Sequence, residues 1–153
     1  MSVRDAAVEA LTQQIGTCFG PSRWIEVDQE MISRFGAVTH DTQFIHMDPD
    51  RAAGTALGGT VAHGFLTLSL ASRMAYDCFD ELPGQTMGVN YGMDRLRFVT
   101  PVRPGQRVRG RFVLSAVSPR GENAMLRTTA LTIEIDGAEK PALVADWLGL
   151  IVF

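Results

Sequence analysis

Apolar residues recur at helical spacing at Val3, Ala7, Leu11 and Ile15, with Arg4, Asp5 and Glu9 between them. This pattern predicts a short amphipathic helix up to Gln14, closed by Gly16 and Gly20-Pro21. Ser22 to Val27 alternates and predicts a short strand. Asp28 is a candidate cap for a second helix running through Met31, Ile32 and Phe35. Asp48-Pro49 opens another, with Asp as cap and Pro at the first helical position. After Gly58-Gly59 a longer helix is predicted from about Ala62 to Cys78, with Thr60 as its candidate cap. Phe65, Leu66, Leu68, Leu70, Ala71, Met74 and Ala75 cover most of its circumference, so burial on several sides is expected.

Beyond Pro83-Gly84 the apolar period changes from helix to strand. Thr86 to Val99 carries Val89, Tyr91 and Met93 on one parity and Leu96 and Phe98 on the other, which predicts a bulge or bend at Asp94-Arg95. Val108, Phe112 and Leu114 mark a second strand. Met125, Thr129, Leu131, Ile133 and Ile135 mark a third, bounded by turns at Pro119-Arg120-Gly121 and Asp136-Gly137. Leu143 to Phe153 is the last strand, apolar on both faces toward its end and so expected inside the sheet. Helices followed by four long strands predict an α+β chain in which an antiparallel sheet curls round one central apolar helix. The 153 residues show no repeat or linker, and a single domain over 1–153 is expected.

Charge and composition narrow the function. A net charge of −3 gives no attraction to nucleic acid or to an anionic membrane. The longest mostly apolar stretch, Val61 to Ser72, is too short to span a bilayer. The N-terminus lacks a signal-peptide pattern. Cys18 and Cys78 are the only cysteines and read as reduced core thiols of a cytoplasmic protein.

Candidate chemistry gathers between Asp41 and Ser72. Asp41 and His46 lie five residues apart on a connecting segment, where a carboxylate and an imidazole can meet as a proton-transfer pair. A capping Asp and a surface His would give the same spacing. His63-Gly64 falls at the start of the long helix, whose first N–H groups have no helical partner and can hold an oxygen that gains negative charge. Gly64 reads equally well as a point of close helix–sheet packing. Ser72 shares a face of that helix with Phe65, Leu68 and Ser69. His46, Asp48 and Asp50 with Asp41 lack a compact His/Cys ligand motif, so no metal is expected. Ser69 and Ser72 lack a nucleophile elbow. Six arginines between Arg95 and Arg111 read first as a solvated strand face and second as a phosphate contact for an anionic carrier.

These residues resemble a known family. The stretch His40-Asp-Thr-Gln-Phe-Ile-His46, followed by Val61-Ala-His-Gly64, is similar to the hydratase motif of the MaoC-like dehydratases, which include the (R)-specific enoyl-CoA hydratases and have a hot-dog fold. The Asp and His positions match. Gln43 and Phe44 stand where the motif has Asn and Pro, as in a branch of mycobacterial-type 3-hydroxyacyl-thioester dehydratases. That branch is also echoed by Val89-Asn-Tyr-Gly92, Arg97-Phe98, Pro101-Val102, Gly105 and Arg107-Val-Arg109. NodN-like proteins share much of this pattern.

The resemblance implies a hydro-lyase that reversibly adds water in syn fashion to a trans-2-enoyl thioester. It carries Asp41, His46 and Gly64 over as catalytic, and Gln43, His63 and Ser72 as binding or orienting. It implies an acyl-CoA substrate in fatty-acid metabolism, a homodimer whose sheets join edge to edge, and no cofactor. A hot-dog thioesterase and a non-catalytic acyl-thioester binder of the NodN type are the alternative expectations.

Overall fold

The computed structural model describes residues 1–153. Its elements run α1 (Val3–Thr12), β1 (Cys18–Phe19), β2 (Ile25–Val27), α2 (Gln29–Thr39), α3 (Phe44–Met47), α4 (Pro49–Ala53), α5 (Gly64–Cys78), β3 (Met87–Phe98), β4 (Gln106–Arg120), β5 (Ala124–Ile135) and β6 (Leu143–Val152). All six strands join one antiparallel sheet in the order β1-β4-β5-β6-β3, with β2 also pairing β4. The sheet packs round α5. Ile32, Leu66, Ala71 and Met74 from the helices meet Val108, Phe112, Leu131, Ile133, Leu143 and Trp147 from the strands in the main core. This is the α+β arrangement that the strand and helix pattern predicts, and the hot-dog fold that the resemblance implies.

The switch of parity in the first long strand has its expected cause. The β3–β6 register shifts between Asp94 and Arg97, and Arg95 adopts φ 50°. The Arg95 guanidinium donates to Asp146 across the pair at 2.6 Å. A second shift falls between Asn90 and Gly92. β6 lies inside the sheet, between β5 and β3, as its two apolar faces require.

Four expectations need correction. α5 begins at Gly64, and its N-cap is His63 rather than Thr60, whose hydroxyl instead donates to the Gln29 side chain. β1 was not expected; two residues suffice to pair Cys18 and Phe19 with Val113 and Phe112 of β4. Cys18 is exposed, so only Cys78 is a partly buried thiol, and burial raises its pKa. α5 is also open on one side. Phe65 and Tyr76 are 64% and 80% exposed, so apolar character around the helix does not translate into full cover within one chain. No helix is long and apolar enough to cross a membrane.

Glycine sets how tightly α2 packs on the loop that follows it. A Cβ on Gly36 would lie 2.9 Å from the Asp41 carbonyl oxygen and 2.5 Å from Met47 Sδ. Alanine normally improves a helix interior over glycine by about 1 kcal/mol. Here the loop backbone would have to move, and overpacking of this kind costs about 1–3 kcal/mol. Gly36→Ala is therefore expected to lower the thermal midpoint by several degrees instead of raising it, as read by calorimetry.

Candidate active site

The segment Asp41–Met47 is folded by short-range turns and fastened by long-range bonds. α2 ends at His40 in the left-handed region, φ 61°, which reverses the chain into Asp41. His46 sits on α3, a single turn, and is 7% exposed. Its Nδ1 lies 2.6 Å from the Val61 carbonyl oxygen. A carbonyl only accepts, so Nδ1 carries the proton and Nε2 holds the lone pair. The same logic applies to His63, 2% exposed, whose Nε2 donates to the Asp41 carbonyl at 2.9 Å. Its Nδ1 is buried without a partner. The two rings stack, with centroids 3.9 Å apart and planes 24° from parallel, and Phe35 covers His63 at 5.0 Å.

The result is a compact cluster. A carboxylate oxygen of Asp41 and one ring nitrogen from each of His46 and His63 lie within 4.8 Å of one another. Asp41 is exposed while both histidines are buried, so the carboxylate faces the open side. No direct hydrogen bond joins the Asp41 side chain to either ring. The donor types would suit a divalent cation, although the sequence around them carries no compact His/Cys ligand motif.

Gly64 lies beside it, at the start of α5. Helical bonding begins with Leu66 and Thr67 donating to the His63 carbonyl, leaving the Gly64 and Phe65 N–H groups outside the ladder. The packing reading of Gly64 holds as well, since a Cβ there would meet the Phe98 ring at 2.9 Å. A small residue at this point thus serves the packing reading, and the N–H groups beside it have no helical partner.

Two other expected residues stand elsewhere. Gln43 is exposed and makes no side-chain hydrogen bond, so it does not tie the loop. That task falls to Gln29, which sequence reasoning missed. Its Nε2 donates to the His46 carbonyl at 2.8 Å and its Oε1 accepts from the Thr60 hydroxyl at 2.5 Å. Only its place at the start of a helix hinted at any role. Ser72 is outside the cluster, eight residues along α5 from Gly64 and about 12 Å by helical rise. Its hydroxyl accepts from Asn90 Nδ2 at 3.1 Å, and it is Ser69 that bonds its own helix, at Phe65 O. The arginine run is mostly consumed by the sheet: Arg95 pairs with Asp146, Arg107 with Asp136, and Arg109 and Arg111 with Glu134.

Comparison with known proteins agrees with this picture. The family model described as "MaoC like domain" matches residues 10–134. Nodulation protein N of Rhizobium leguminosarum bv. viciae is 47% identical over 152 residues, covering 99% of this chain and 94% of the relative. The 3-hydroxyacyl-thioester dehydratase Z of Mycobacterium tuberculosis is 39% identical over 145 residues, covering 95% and 92%. The crystal structure of a MaoC-like dehydratase from Rhodospirillum rubrum superposes with TM-score 0.75 at 21% identity, covering 91% and 92%, a likeness of fold. With a family model along most of its length and relatives aligned from end to end, the chain belongs to the MaoC-like domain family.

Proposed function

We propose that the protein is an (R)-specific enoyl-thioester hydratase, acting reversibly as a 3-hydroxyacyl-thioester dehydratase, with Asp41 and His46 as its catalytic pair. The observation that carries this reading is the cluster of one carboxylate and two imidazoles within 4.8 Å, beside the unladdered N–H groups of α5. The 39% identity to a 3-hydroxyacyl-thioester dehydratase along 95% of the chain supports it.

The chemistry follows from the hydrogen bonds. His46 commits Nδ1–H to Val61 and so offers its Nε2 lone pair to a water molecule. Asp41 orients that water from the exposed side. The water O–H bond breaks toward Nε2 while its oxygen forms a bond to the β-carbon of the alkene. The alkene electron pair moves to the thioester oxygen as an enolate, which the Gly64 N–H stabilises. The enolate collapses as the proton on His46 passes to the α-carbon. Both new bonds form on the face where the pair stands, which is syn addition. His63 holds the loop by its bond to the Asp41 carbonyl and by stacking on His46.

The partner of this reading is a second copy of the chain. β3 pairs only with β6, and its other edge is free along a twelve-residue strand. Met87, Val89, Tyr91 and Phe98 are exposed on it, alongside Phe65 and Tyr76 of the open side of α5. A long free edge with apolar side chains is a template for strand pairing.

The nodulation protein relatives favour a second reading, an acyl-thioester binding protein without turnover, because their names state no activity. Purified protein is expected to hydrate crotonyl-CoA, seen as loss of enoyl-thioester absorbance without release of free CoA. Asp41→Asn and His46→Gln should each slow this by about 10²–10⁴. Binding with no turnover would favour the binder, and thiol release a thioesterase. Light scattering should return twice the chain mass, and a monomer at micromolar concentration would reject the paired β3 edge.

A further inference from the structure

The inward face of β5 is read at alternate residues: Met125, Arg127, Thr129, Leu131, Ile133 and Ile135. Every other member of this row is buried, and Arg127 is the one charge in it. A cation on the core face of a sheet is costly unless it is paired. Arg127 takes part in none of the ion pairs and donates no hydrogen bond to the protein. Its guanidinium lies over the Phe79 ring at 3.9 Å. Stacking satisfies the flat face of the group and leaves its N–H donors, which lie in the plane, unspent. Burial lowers its pKa to about 10, so it remains charged at neutral pH.

Arg127 lines a cavity of about 340 Å³ between the second half of α5 and the sheet. Trp147, 8% exposed, lines the same cavity, and its Nε1–H is buried with no acceptor. Gly149 stands opposite Arg127 on β6, where the lack of a side chain keeps space open beside the guanidinium. Asp80 and Glu81 also border the cavity, but both are exposed and neither pairs with Arg127. The cavity thus holds two kinds of unspent donor, and the carboxylates at its border accept from neither.

We propose that this cavity receives a carboxylate at the far end of the acyl chain, making ω-carboxyl enoyl thioesters the preferred substrate class. The proposal rests on the hydratase reading above, and it names the tail that reading leaves open. A guanidinium recognises a carboxylate through paired N–H bonds, and the indole N–H supplies one more. Phe79, Val89, Trp147 and Ile151 line the cavity together with Ser72, Asn90 and Thr129, a mixed wall that suits a hydrocarbon chain ending in a polar group. Ser72 on the near wall is about 12 Å of helix from Gly64, a span for a medium-length chain.

The test is calorimetric titration of the whole protein with decanoyl-CoA and with its ω-carboxyl counterpart, both saturated so that no turnover is needed. Wild type is expected to bind the carboxyl-ended ligand about tenfold or more tighter, the range for a charge-assisted hydrogen bond. Arg127→Met should erase or reverse that preference, and Trp147→Phe should reduce it. Equal affinity of wild type for the two ligands, or binding of neither, overturns the proposal. So does an Arg127→Met variant that binds both ligands and free CoA more weakly by the same factor, because the arginine would then meet a CoA phosphate. Failure to hydrate crotonyl-CoA would reject the catalytic reading and leave this ligand preference readable.

Discussion

Two histidine–carbonyl bonds cross between distant segments, and the site depends on them. His46, from the segment after α2, donates to Val61 just before α5; His63, at the cap of α5, donates back to Asp41. Each bond uses a buried ring on one strand of chain to hold the backbone of the other. The carbonyls that accept are polar groups that would be costly to bury unmatched. The stacking of the two rings follows from this crossing, since both are drawn into the same narrow space. The Val61 N–H also donates to the Ile45 carbonyl, and Gln29 joins the His46 carbonyl to Thr60. Asp41 needs no side-chain partner to be held, because its backbone is already fastened, and its carboxylate stays exposed.

The rest of the fold serves this strap. The buried side of α5, anchored by Leu66, Ala71 and Met74 against the sheet, fixes where His63 and Gly64 stand. Near its other end Asp77 accepts from the Arg23 guanidinium at 2.9 Å and from Arg73 at 2.9 Å, which hold its carboxyl well below the usual range. The helix is therefore tied at both ends while its outer side remains open. That openness and the free edge of β3 are one feature seen from two elements. The apolar residues left uncovered on both lie where a neighbouring sheet edge would meet them.

Much of this was legible in the sequence. Alternation located the four long strands, and the change of parity at Asp94-Arg95 located the register shift. That Asp41 and His46 approach each other could be read from their spacing on a connecting segment. What could not be read depends on distance in space. α3 has four residues, too few to be stable by propensity alone, so it depends on the long-range bonds of His46 and Gln29 and on the Val61 N–H donating to the Ile45 carbonyl. Gly36 looks like a weak point in a helix until the Asp41 carbonyl is seen against it. The apolar ring of α5 is the same whether its cover comes from this chain or another. Arg127 interrupts an apolar row, which sequence reasoning missed; the cavity beside it and its lack of a carboxylate partner bring it forward.

The most direct test of the strap as a catalytic device is a crystal structure of the protein with 3-hydroxybutyryl-CoA bound. The account predicts the thioester oxygen within hydrogen-bond distance of the Gly64 N–H, and the 3-hydroxyl between the Asp41 carboxylate and His46 Nε2. A thioester bound elsewhere, with the Asp41–His46 space untouched by ligand, would contradict it.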